Sequence, residues 1–187
     1  EIAMDHQREK PDGILYLLQD MREFEPGEKV SAVVSACDSI NYILEPEDLQ
    51  AVFFCVSESL KEGGIFIFDI NTSYKYEVLM ADNTIAENRD EGSFIWDNYY
   101  DADEKVNEYD LTLFIKEQSE DEDDIYKKFE ETHFQRCYSL DEVKAAAEAA
   151  GMEFVTAYDA FTKDPVKEDS ERIYVILREK GKTEKGR

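Results

Sequence analysis

Three stretches of this chain are built alike: an apolar run stops abruptly in a small group of polar or acidic residues. They are Ile14-Leu15-Tyr16-Leu17-Leu18 ahead of Gln19-Asp20-Met21, residues 30–36 ahead of Cys37-Asp38-Ser39, and Ile65-Phe66-Ile67-Phe68 ahead of Asp69-Ile70-Asn71. Uninterrupted apolar runs of this length suit strands buried on both faces, which predicts a parallel sheet covered by helices. Ligands of such open sheets sit beyond the carboxyl ends of the strands, so the three polar clusters are expected to line one crevice.

The remaining elements fit around that sheet. Residues 45–60 place Leu49, Val52, Phe53, Val56 and Leu60 on one helical face, with Pro46 near the start and Gly63-Gly64 beyond the end. A second helix opens with Ser139 and Glu142 spaced as a capping box, and Gly151 closes it. Two strands over 152–158 and 172–178 follow, rich in β-branched and aromatic residues. The middle of the chain differs in kind. Segments 94–100, 106–116 and 125–138 alternate apolar with polar residues, which predicts strands with one wet face and hence an inserted antiparallel meander. The acidic run over 117–124 reads as a solvated hairpin loop, since it lacks the ordered ligand spacing of a calcium loop. The expected division is a core of 1–72 and 139–180, an insertion of 73–138 carrying a helix and the meander, and a frayed tail over 181–187.

A chain of 187 residues with 42% hydrophobic residues can bury one real core. Its formal charge of -24 repels phosphate backbones and anionic membrane surfaces, so neither nucleic acid nor membrane is expected as a partner. Cys37, Cys55 and Cys137 are odd in number and far apart, which suggests neither a disulfide framework nor a zinc site and makes the reducing cytoplasm the simpler setting. No stretch approaches the roughly 20 apolar residues of a membrane span.

Three strings resemble the third, fourth and fifth strand regions of class I S-adenosylmethionine-dependent methyltransferases. They are Gln19-Asp20-Met21-Arg22, Ala36-Cys37-Asp38-Ser39-Ile40-Asn41-Tyr42, and Leu60-Lys61-Glu62-Gly63-Gly64-Ile65-Phe66-Ile67-Phe68-Asp69. The Leu-Lys-x-Gly-Gly turn is the most specific piece. Trp96-Asp97-Asn98-Tyr99 and Glu131-Thr132-His133-Phe134-Gln135-Arg136 resemble a small bacterial branch with a β-stranded insertion. The resemblance implies an α/β, Rossmann-like methyltransferase sheet, S-adenosylmethionine as methyl donor, and a small-molecule acceptor.

Carried over by position, Asp20 would accept from the adenine amino group and the backbone of Met21 would meet a ring nitrogen; by itself Asp20 reads equally well as a turn cap. Cys37, Asp38 and Ser39 would lie under the sulfonium, with Tyr42 above. Displacement at a sulfonium needs alignment more than acid or base, and a base only where the acceptor must lose a proton. His133 is the expected base, on an insertion strand facing Asn71, with a packed histidine as the alternative. Arg136 would bind an acidic substrate group, although pairing with one of 45 acidic residues is favoured. Trp96, Tyr99 and Tyr100 would wall a substrate pocket or simply pack in the sheet.

The family's glycine-rich turn after its first strand, and the acidic residue that binds the ribose after its second, have no counterpart in these 187 residues. Residues 1–10 read as the end of the helix after that second strand. The expectation is therefore a partial sheet, completed by an absent N-terminal segment or another chain, with residues 14–18 standing away from 30–36. Such a chain would bind the donor weakly or not at all. The alternative is a non-catalytic binding or regulatory module on the same fold; a homodimer through the aromatic faces of the meander is a further possibility.

Overall fold

The computed structural model describes residues 13–117 and 124–181. Its first strand, β1 (Val30–Ser35), runs parallel to β2 (Leu60–Asn71), and helix α1 (Pro46–Ser59) makes the crossover between them. Pro46 enters the helix at its first turn, where a missing N–H costs nothing, and Glu47 and Asp48 complement the helix dipole there. The chain returns to this sheet only after the insertion, through α2 (Leu140–Ala149), β7 (Met152–Asp159) and β8 (Arg172–Glu179). The sheet order is β1-β2-β8-β7, with β8 antiparallel to both neighbours. Ser139 caps α2 as the capping box predicts, and Gly151 leaves it at φ 74°, a left-handed conformation suited to a glycine.

One core holds this unit. Phe66, Phe68 and Ile70 alternate along one face of β2 and meet Leu49, Val52, Phe53 and Val56 of α1 with Val143 and Ala147 of α2. The Phe53, Phe66 and Phe68 rings lie 4.7–5.8 Å apart in edge and stacked contacts. Both helices cover that face. The opposite face is less covered than the apolar runs predict: Ile65 and Ile67 are half-buried and Val34 is 67% exposed.

Two further expectations are corrected. Among the described residues, 14–18 are part of no named strand, and Leu18 is fully exposed. Their apolar character suits a buried strand, but a strand requires a paired neighbour, and among the described residues β1 pairs only with β2. An apolar groove of about 510 Å³ separates this extended segment from β1, walled by Leu15, Leu17, Val33 and Val34. The insertion has four strands rather than three: β3 (Asn83–Arg89), β4 (Gly92–Asp101), β5 (Val106–Glu117) and β6 (Ile125–Arg136), antiparallel in chain order. β3 escapes a reading by alternation because its residues are exposed throughout. A π-helical turn, Lys75–Met80, links β2 to the insertion. The hairpin run at 118–123, the helix end read at 1–10 and the tail from 182 lie outside the described residues.

The face of the inserted sheet turned toward the core carries buried polar side chains. Asn98 and Asn107 exchange two amide hydrogen bonds of 2.9 Å, and Asn98 also donates to the carbonyl of Ala81. Satisfied in this way, buried amides cost little. Among the described residues no helix is long and apolar enough to cross a membrane.

Candidate active site

At the end of β1 the chain turns sharply. Cys37 and Asp38 both adopt left-handed backbone, φ 62° and 50°, which residues with a Cβ avoid unless something holds them. Here Asp69, near the end of β2, accepts the Asp38 N–H at 2.9 Å, and the Ser39 hydroxyl closes the turn by donating to the Ala36 carbonyl at 2.7 Å. The Asp38 carboxylate becomes a hub. Arg172 of β8 donates to one oxygen at 2.8 Å, and Gln135 of β6 and Asn71 of β2 donate to the other at 2.7 and 3.2 Å. The other guanidinium nitrogen of Arg172 reaches Asp69 at 2.6 Å.

Asn71 extends the network. Its N–H donates to the Asn41 amide oxygen, and Asn41 donates to the Arg136 carbonyl at 2.8 Å, so the buried pair ties the ends of β1 and β2 to β6. The Asn71 amide also donates to the Tyr76 hydroxyl, which in turn donates to Gln135 at 2.9 Å. Burial pushes the Tyr76 hydroxyl well above the ordinary phenol range. Lys75 donates to Asn71 at 3.0 Å; burial and then the nearby Arg172 charge lower its amine, against the opposing pull of Asp38, Glu171 and Asp69.

Beside this network stands an aromatic row. Trp96, Tyr109 and His133 come from β4, β5 and β6; Trp96 lies tilted at 33° against Tyr109 with ring centres 4.5 Å apart, and Tyr109 stacks on His133 at 4.7 Å. Tyr42, in the 3₁₀ turn Ser39–Tyr42 after β1, meets the row from the core side. Its hydroxyl lies 2.8 Å from that of Tyr109 and 3.0 Å from His133 Nδ1, while His133 Nε2 lies 3.2 Å from Glu131. Burial, followed by the Tyr42 contact, raises the Tyr109 hydroxyl above its ordinary range. The Trp96 indole N–H is buried without a partner among the described residues.

On the other side of Tyr42, a cavity of about 530 Å³ opens between Asp20, Met21, Leu44, Glu45 and Asp48. Asp20 caps its own turn, accepting the Arg22 N–H at 2.9 Å, and both its oxygens receive the Arg22 guanidinium. That guanidinium, foremost, holds the Asp20 carboxyl down at about 2. Each carboxylate oxygen keeps acceptor capacity for another donor. Met21 is half-buried against the core.

Several sequence expectations are placed differently. His133 faces Tyr42 and Glu131, and it is Gln135, two residues further along the same strand face, that connects with the groups around Asn71. Arg136 has no carboxylate partner among the described residues; it donates to the Glu104 carbonyl at 3.2 Å and lies over the Tyr138 ring, with its Nε buried and unpaired. Tyr100 stacks on Tyr76, and Tyr99 is exposed on the opposite face from Trp96. Cys37 is exposed rather than at the end of a buried strand. Arg172, Gln135, Asn41, Tyr76 and Tyr109 join the site although no motif in the sequence marks them. Their signal was faint: Asn41 and Gln135 lie inside the quoted strings, but nothing in spacing points to Arg172, which reaches the site only because β8 pairs it with Asn71. Among the described residues no group of His, Cys, Asp and Glu could hold a metal ion.

No family model matches the chain. It is 32% identical over 171 residues to the Bacillus subtilis protein YqeM, assigned by name to the methyltransferases, covering 91% of this chain and 67% of YqeM. A Geobacillus protein (strain WCH70), also named as a methyltransferase by assignment, is 30% identical over 165 residues, 88% of this chain and 65% of the relative. The chain thus spans about two thirds of the length of the curated relatives it matches. Among solved structures, an S-adenosylmethionine-dependent methyltransferase from Clostridium acetobutylicum superposes with a TM-score of 0.84 at 27% identity, over 96% of this chain and 70% of the other. The CcbJ methyltransferase from Streptomyces caelestis shares the fold, with a TM-score of 0.77 at 16% identity over 94% of this chain and 72% of its own. On the match to YqeM, and with the strand ends and the inserted sheet arranged as described, the chain belongs to the class I S-adenosylmethionine-dependent methyltransferases.

Proposed function

We propose that this chain forms the adenine-facing and acceptor-facing sides of a site that transfers a methyl group from S-adenosylmethionine to a small molecule. The observation that carries this reading is the convergence of the β1 and β2 ends with the inner face of the inserted sheet at Asp38, Asn71, Gln135, Tyr42 and His133. When bound, the donor supplies an electrophilic methyl on a sulfonium that leaves as a neutral thioether. The residues present suit its adenine side: Asp20, ionised down to about 2, would accept a hydrogen bond from the adenine amino group in the cavity beside Met21, whose backbone would meet a ring nitrogen. The fixed turn at Cys37, Asp38 and Ser39 would underlie the reacting centre. Tyr42, Asn71, Trp96 and Arg136 would bound the acceptor, and His133 would be the base that finally holds its proton. A cytoplasmic setting agrees with three free cysteines.

The groove beside the outer edge of β1, which has no neighbour strand among the described residues, supports two further parallel strands there, carried by a longer chain or by a second chain. Titration with S-adenosylhomocysteine tests both ideas. The 187-residue chain is expected to bind weakly, and a chain extended to the length of its relatives to bind in the micromolar range. Failure of the longer chain to bind would favour a non-catalytic module, the reading to which the Arg22 clamp on Asp20 also lends itself.

A further inference from the structure

Of all the polar groups around the aromatic row, Glu131 has the least structural reason to be where it is. Its side chain is 56% exposed, and among the described residues its one hydrogen bond is to His133 Nε2, from two residues away on the same strand face. That contact has a chemical consequence. A carboxylate can only accept, so Nε2 carries the hydrogen and neutral His133 presents a bare Nδ1. Bare Nδ1 must accept from Tyr42, 3.0 Å away, and Tyr42 can then accept from Tyr109 at 2.8 Å. The hydroxyl of Tyr42 retains one lone pair, and Tyr42 is 42% exposed, at the junction of the inserted sheet with the cavity beside Met21.

We propose that Glu131 is a positioning residue that sets the His133 tautomer, and that Tyr42, rather than the imidazole itself, receives the proton of an acceptor whose nucleophilic atom is nitrogen or oxygen. This rests on the methyl-transfer reading above. As the acceptor atom bonds to the methyl carbon, the carbon–sulfur bond breaks and its electron pair leaves on a neutral thioether. The proton of the acceptor passes to the Tyr42 oxygen, the Tyr42 proton passes to His133 Nδ1, and the resulting imidazolium is paired with Glu131. A carbon acceptor with no acidic proton has no use for this chain of groups.

The chain has two histidines, His6 and His133, so ¹⁵N-histidine spectra of the 187-residue protein resolve the tautomer directly, with His6→Ala for assignment. At a pH where His133 is neutral, the Nε2–H form is expected to exceed the other by about tenfold. Glu131→Ala should bring the two forms near parity, and Glu131→Gln, whose amide oxygen still accepts, should largely restore the preference. A predominant Nδ1–H form in the unaltered protein, or a ratio unmoved by Glu131→Ala, overturns the assignment. In the full-length enzyme, Tyr42→Phe should lower kcat about 100-fold with donor KM unchanged; an unchanged kcat overturns the relay. The spectra need no donor, so failure to bind S-adenosylhomocysteine would remove the methyl-transfer reading while leaving the tautomer result intact.

Discussion

The guanidinium of Arg172 joins Asp69 and Asp38, donating to the first at 2.6 Å and to the second at 2.8 Å from the opening residue of the last strand. Asp69 is 4% exposed, so its charge has little access to water and depends on this partner. Arg172→Leu would strand a buried carboxylate and is expected to cost about 3 kcal/mol or more, read as a lowered urea midpoint. Arg172→Lys, which keeps the charge but cannot reach both carboxylates in one fork, should fall between.

Tyr76 is the joint between the core and the inserted sheet, since its hydroxyl accepts from Asn71 and donates to Gln135. Tyr76→Phe keeps the ring stacked on Tyr100 but leaves both amides short of a partner. A loss of about 1–2 kcal/mol is expected. Hydrogen exchange of β5 and β6 amides should speed up more than that of α1, and equal acceleration throughout would contradict this role.

The cysteines should react with a thiol reagent in a fixed order. Cys37 is exposed, Cys55 donates to the Arg22 carbonyl with burial raising its thiol, and burial raises the Cys137 thiol to about 11. Mass spectrometry of the folded protein after brief alkylation should find Cys37 modified first and Cys137 last.

Cys137 also predicts how stability falls in alkali. Its thiol sits near 9 when unfolded and about 11 when folded, so the unfolded chain loses this proton first. The group is neutral in both states below about pH 9 and weakens the fold progressively between about 9 and 11, by up to about 2–3 kcal/mol. Cys137→Ser should lessen the loss of stability between pH 9 and 10, where the buried tyrosines, ordinarily near 10 and raised on folding, supply the rest.

What could be read from sequence was what local chemistry decides. Ser139 and Glu142 mark a helix start whatever surrounds them, and the stripe from Leu49 to Val56 specifies a helix with one buried face. The segment at 14–18 is apolar enough for a strand, yet whether a strand forms is decided by what lies beside it and not by its own residues, and among the described residues it belongs to no named strand. The exposed, polar β3 carries no alternation to detect, because its place is dictated by pairing with β4. The same limit governs the site. Asp38, Asn71, Tyr42 and His133 stand in strings with a recognisable grammar, whereas Arg172 lies 134 residues from Asp38 and arrives through the antiparallel register of β2 and β8.

The reciprocal pair of Asn98 and Asn107 has a bearing on the aromatic row two residues away on each strand. The two amides satisfy each other in one alignment of β4 and β5 only, and a slip by one residue would turn one of them toward water and strand the other. Trp96 and Tyr109 are brought into ring contact by that same alignment, and His133 pairs with Tyr109 from the next strand. The amide pair thus works as a vernier for two of the inserted strands: it has no part in chemistry, yet it favours the one alignment in which Trp96 lies against Tyr109.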